Sequence, residues 1–204
     1  MNRLFDPNNL LFRSLSWAVD VVGISLLWLF LSLPVVTALP AAAALYHTCA
    51  LCIRRGEVGA FGRFFRSFRQ NLRQGCLLSL PLAALSVLLY LGHGVMYAAA
   101  SQVGGYAGVM YGVYCVAMLL PLGIFCWLPA LLGRFDFSIP ALCRGAAYLT
   151  LRHLPTSVFA VAVVTAAVGC LLRVPLLLLL PVGAGIAVSF PIERAFRRYH
   201  WWEE

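Results

Sequence analysis

An all-α polytopic membrane fold, with six or alternatively five transmembrane helices and one amphipathic basic cytoplasmic helix, is predicted by three features of this 204-residue chain. Four stretches carry no Asp, Glu, Lys or Arg: Val21 to Ile53, Gln74 to Gly133, His153 to Leu172, and Val174 to Ile192. A hydrocarbon layer about 30 Å thick takes about 20 apolar residues at 1.5 Å each, so all four are of spanning length or longer. Second, 62% of the residues are apolar and 11% charged, with a mean hydropathy of +0.90, values that exclude a soluble domain of this size. Third, all 15 cationic side chains are Arg, and they border the apolar runs. A net charge of +8 in that arrangement points to the anionic inner leaflet and not to nucleic acid.

The whole chain is then one membrane domain, 1–204. Residues 1–16 form a cytoplasmic N-terminal segment. The first uncharged stretch, 33 residues, would make a helix of about 50 Å. That is too long for one span and short for two, and Pro34 and Pro40 are natural breaks. A hairpin over 17–53, with arms Trp17 to Val36 and Pro40 to Ile53, gives six crossings and two cytoplasmic termini. An unbroken first span gives five and an external N-terminus. Asp6, Asp20 and the length of the apolar run favour a retained span over a cleaved leader.

Residues 54–75 are the basic segment, and they carry the sharpest pattern in the chain. At 100° per residue Phe61, Phe64, Phe65, Phe68 and Leu72 fall on one narrow face, and Arg63, Arg66, Arg69 and Arg73 on the other side. Such a helix lies at an interface, its Phe face in the acyl boundary or in a partner's groove. Each Arg adds about 1 kcal/mol of attraction to anionic lipid. As a partner-docking helix it would use Phe64, Phe65, Phe68, Arg66 and Arg69 as its contacts.

The second hairpin, 76–131, has to turn near Gly92-His93-Gly94 or Ser101-Gln102. Ala100, Gly104, Gly108 and Gly112 recur every four residues, a small-residue ridge that suits either a homodimer seam or internal helix packing. Residues 132–153 are a second cytoplasmic segment. There Arg134, Phe135, Ser138 and Arg144 repeat Arg63, Phe64, Ser67 and Arg73 at an offset of 71, which suggests two related halves. The third hairpin, 154–192, turns at Arg173-Val174-Pro175, and 193–204 form a cytoplasmic tail. Six Arg in the first basic segment, three in the second and three in the tail make all of them cytoplasmic by the positive-inside rule.

Chemistry is sparse. Cys49 and Cys52 form a C-x-x-C within an apolar stretch, without the context of a redox motif or a second pair for zinc. His47, His93, His153 and His200 share no ligand spacing, and only His47 stands where a proton relay could operate. No catalytic site, metal site or cofactor is expected, and neither is enzyme activity.

Four motifs carry a family resemblance: Leu4-Phe5-Asp6-Pro7-Asn8-Asn9, Ser32-Leu33-Pro34-Val35-Val36-Thr37, Phe64-Phe65-Arg66-Ser67-Phe68-Arg69-Gln70-Asn71, and Leu151-Arg152-His153-Leu154-Pro155. Together they resemble the YesL-like family of bacterial membrane proteins, a domain of unknown function. The resemblance implies a bacterial plasma-membrane protein whose relatives are encoded beside sugar importers and polysaccharide-degrading enzymes. It thus implies an accessory subunit in carbohydrate uptake or sensing, with a sugar importer or sensor subunit as partner. A small self-contained transporter is the other reading. It requires polar groups at mid-membrane depth, where the sequence offers only scattered Ser, Thr and Tyr.

Overall fold

The computed structural model describes residues 10–51, 53, 59–135, 137–173 and 180–196, and every regular element among them is helical. The motif at 4–9, Cys52, Arg54, Arg55, the turn expected at 174–175 and the tail from 197 lie outside the described residues. Helix α1 (Leu10–Ser32) stops before Pro34, whose extended backbone (φ −74°, ψ 122°) leads into a 3-10 turn at Val35–Thr37. Helix α2 (Ala38–Leu51) follows, with Pro40 in its first turn, where a missing N–H costs nothing. The expected break is therefore present. Its second arm is only 14 residues, about 21 Å, which is short of the hydrocarbon thickness.

The basic segment is not a separate interfacial helix. From Ala60 on it forms the first turns of α3 (Ala60–Val103), a single helix of 44 residues and about 66 Å that runs on through Pro81. Gly75, at the junction, lets Pro40 lie against the helix: a Cβ there would come within 2.7 Å of the proline ring. Nearby, the Leu39 N–H donates to Ser79 Oγ (3.3 Å), which itself donates to the Gly75 carbonyl (2.8 Å). These contacts fasten α2 alongside the basic half of α3.

Helix α4 (Tyr106–Leu132) returns after Gly104 and Gly105, whose φ values of +67° and +50° are open to glycine at little cost. The turn thus falls just past Ser101-Gln102. Gly92 and Gly94 stay inside α3, and Gly92 gives room to Tyr114, whose hydroxyl donates to the Leu89 carbonyl at 2.9 Å. The turn also dissolves the expected ridge. Ala100 belongs to α3, Gly104 to the turn, and Gly108 and Gly112 to α4, so the four do not line one helix.

Helices α5 (Ile139–Arg152), α6 (Leu154–Arg173) and α7 (Leu180–Phe196) complete the bundle. Arg134 and Phe135 precede α5 in a turn, whereas Arg63 and Phe64 lie inside α3, so the sequence echo at offset 71 does not join equivalent structures. Among the described residues three helical stretches are long and apolar enough to cross a membrane: Ala60–Gln102, Tyr106–Leu132 and Leu154–Leu171. Along the α3–α4 hairpin, large apolar side chains such as Leu88, Tyr90, Val95, Val109 and Val116 are exposed, which suits helices facing lipid.

Two clusters hold the rest together. One surrounds Trp127 and joins α2, α3, α4, α5, α6 and α7; the other surrounds Phe64 and joins α1, α2, α3 and α7. Helix α2 serves both, and its alanines allow the close approach. At Gly133 the neighbour is backbone: a Cβ there would meet the Ala43 carbonyl oxygen at 2.8 Å. Backbone cannot step aside cheaply, so Gly133→Ala is expected to cost about 1–3 kcal/mol in an SDS-unfolding titration, against no measurable cost for Gly108→Ala in open space.

Candidate functional site

Two assemblies of charge stand out: an exposed arginine row on α3, and an ion pair buried between α7 and the loop after α4. The row is built by helical periodicity. Arg63, Arg66, Arg69 and Arg73 are all exposed, and Gln70 lies among them. The Phe arc beside it is divided. Phe64 is fully buried and Phe68 nearly so, both in the α1–α2–α3 cluster, and Phe61 packs against Gly23 of α1. Phe65 and Leu72, at the edge nearer Arg69, remain 50% and 38% exposed.

This corrects the expected set of contacts. Phe64 and Phe68 are core residues and reach neither lipid nor a partner's groove, because α1 and α2 already occupy that side. The surface that α3 offers is the strip of Phe65 and Leu72 with the four arginines. Ser67, buried beneath it, accepts from Asn71 Nδ2 through its backbone carbonyl (2.9 Å), which stiffens the strip from behind. Helix α5 adds to the basic character: Leu142, Ala146 and Leu149 face the core, and Arg144 and Arg152 face out, the latter 5.9 Å from the Tyr148 ring.

The ion pair joins Arg134 Nη1 to Glu193 Oε1, and the Tyr46 hydroxyl donates to the same oxygen at 3.3 Å. Glu193 is buried and Arg134 is a quarter exposed. The guanidinium also lies 5.7 Å from the Phe196 ring, which packs edge-on against Phe135 and Trp127. Trp127 Nε1 donates to Ser157 Oγ at 2.9 Å. The ensemble ties α2, α4, α6 and α7 to one point. The sequence reading missed it because its members, Tyr46, Arg134 and Glu193, lie 59 to 147 residues apart.

A half-open cavity of about 290 Å³ lies between α2, α4, α6 and α7, with Trp28 of α1 at its side. Its wall is almost entirely carbon, from residues such as Leu45, Phe125, Val164, Val168 and Val188. A sugar requires several convergent polar groups, and this wall does not supply them. No group of three or more His, Cys, Asp or Glu side chains is placed to hold a metal among the described residues. His47 is half-buried with its Nδ1 buried and unpartnered, and Cys49 lies 3.8 Å from the Val182 carbonyl.

Over residues 21–93 the chain matches a family model described as a protein of unknown function, DUF624. The matched stretch takes in the second half of α1, all of α2 and α3 as far as His93. No curated protein matches the chain, and no solved structure does.

Proposed function

We propose that this chain is a non-catalytic accessory subunit of a bacterial plasma membrane that docks an acidic partner surface on the exposed strip of α3. The observation that carries the reading is the division of the α3 surface. A core anchored by Phe64 and Phe68 holds the helix still, and Arg66, Arg69, Arg73, Phe65 and Leu72, with Arg63 beside them, are exposed on a rigid element. Aromatic and Arg side chains are the types enriched at the energetic centres of interfaces. A rigid helix also avoids the ordering cost of binding. The carbon-lined cavity disfavours the alternative of a small sugar transporter.

In this proposal the two basic segments and the tail lie in the cytoplasm, as the arginine distribution favours, and α2, which is short of the hydrocarbon thickness and packed along the basic half of α3, stays on that side. Anionic lipid of the inner leaflet attends the same arginines. The partner is an importer or sensor subunit in carbohydrate uptake, as the YesL-like resemblance implies. The test is affinity capture of the tagged protein from gently solubilised native membranes, with partners identified by mass spectrometry. A membrane partner should co-purify with wild type and be lost with Arg66→Glu/Arg69→Glu, both proteins being monodisperse. Equal recovery with the charge-reversed protein, or recovery of the tagged chain alone, would contradict docking and return attention to transport.

A further inference from the structure

Helix α5 turns outward a surface that neither the core nor the α3 strip uses. We propose that this surface binds anionic phospholipid at the cytoplasmic boundary of the membrane, with headgroup phosphates on Arg144 and Arg152 and acyl chains along Tyr148 and Leu151. At 100° per residue these four side chains share an arc of about 100°, and Leu142, Ala146 and Leu149 fall on the opposite side. Burial follows the pattern: the first four are exposed, Tyr148 by 46% and Leu151 by 59%, and the other three are fully buried against the bundle. No Asp or Glu occurs from Ser138 to Arg152, so the charge on this face is entirely positive.

Depth selects lipid over a soluble acidic partner. Only His153 separates α5 from α6: its N–H donates to the Leu149 carbonyl (2.9 Å) and its carbonyl accepts from the Ser157 N–H (2.9 Å), so one helix ends where the next begins. Helix α6 is apolar enough to cross a membrane. The last turn of α5 also lies beside α4, another such helix, well before its end. Thr150 is so close to Gly123 that a Cβ there would come within 2.5 Å of the threonine Cγ2, and Gly123 precedes Leu132 by nine residues, about 14 Å. Exposed apolar side chains run on from Leu151 to Leu154, Val158 and Phe159 of α6, so at that end the face opens onto hydrocarbon. Arginine stems lie along such a surface and carry their guanidinium groups to the phosphates, where the planar fork fits. The Arg152 guanidinium is 5.9 Å from the ring of Tyr148, a residue type enriched at that depth.

The experiment uses the full chain in nanodiscs of phosphatidylcholine with a minority of phosphatidylglycerol. A benzophenone side chain is placed at Leu151 or, as an exposed control on α4, at Val116, and the photoadducts are identified by mass spectrometry. From position 151 phosphatidylglycerol is expected in the adducts at about fivefold or more over its share of the bilayer, the factor that one basic side chain near the surface supplies. From position 116 it is expected in proportion to its share. Arg144→Gln/Arg152→Gln should bring the ratio at 151 down to that of the bilayer, with lipid adducts still formed and the helical circular dichroism unchanged, and Arg144→Lys/Arg152→Lys should keep the enrichment. The same probe irradiated in native membranes is expected to give lipid adducts and no protein adduct. Proportional labelling at 151 with both arginines present, enrichment that survives their loss to Gln, or a discrete protein adduct at 151 would each overturn the assignment, the last by making this face a protein interface. Both leaflets of a nanodisc have the same composition, so the outcome is independent of partner docking on α3 and of the side of the membrane on which α5 lies.

Discussion

Arg134→Met is expected to destabilise the bundle by about 3 kcal/mol, and Arg134→Met/Glu193→Met by clearly less. In the single variant the Glu193 carboxylate stays buried between α2 and α7 with, among the described residues, the Tyr46 hydroxyl to solvate it. An uncompensated buried charge costs about 3–5 kcal/mol, and the quarter exposure of Arg134 puts the value at the low end. In the double variant no charge is stranded, and methionine fills the space beside Phe196 and Phe135. An SDS-unfolding titration in mixed micelles measures both. If Arg134→Met unfolds at the wild-type SDS fraction, the pair is ornamental and α7 is held by the aromatic cluster alone.

Phe64→Ala and Phe65→Ala should separate sharply although the residues are neighbours. Phe64 has no exposed surface and contacts the cluster shared by α1, α2 and α7, so its truncation opens a cavity at a cost of about 3–5 kcal/mol. Phe65 is half exposed, and its truncation should stay within about 0.5 kcal/mol. The reverse order, or equal costs, would mean that α3 is rotated about its axis and that the arginine row faces elsewhere.

That pair of neighbours also marks the limit of what the sequence could tell. Periodicity placed Phe61, Phe64, Phe65, Phe68 and Leu72 on one arc, and the arc is real. An apolar arc on a helix looks the same in sequence whether it faces lipid, a partner or the protein's own core. Only the packing of α1 and α2 against one edge decides, and it divides the arc between Phe64 and Phe65. The helix break was legible at Pro34, where the residue itself dictates it, whereas the turn at Gly104-Gly105 was expected slightly earlier, at Ser101-Gln102, or at Gly92-His93-Gly94. The same glycine misled as part of a four-residue spacing, because Gly104 in a turn and a glycine on a packing ridge are written alike. The continuity of α3 from Ala60 was hidden by the change from basic to apolar character at Gly75, which shifts the environment of a helix without ending it. The Arg134–Glu193 pair could not be read at all, since nothing local links a loop to a residue 59 positions later.

The central claim is that the Phe65, Leu72 and arginine strip of α3 meets a protein. The most direct measurement is site-specific photocrosslinking in living cells, with a benzophenone side chain placed at Phe65, Leu72, or, as lipid-facing controls, Tyr90 and Val109. The account predicts one discrete protein adduct from positions 65 and 72, lost when Arg69→Glu is added, and none from 90 or 109. Absence of a protein adduct at 65 and 72, or an equal adduct from the hairpin positions, would contradict it.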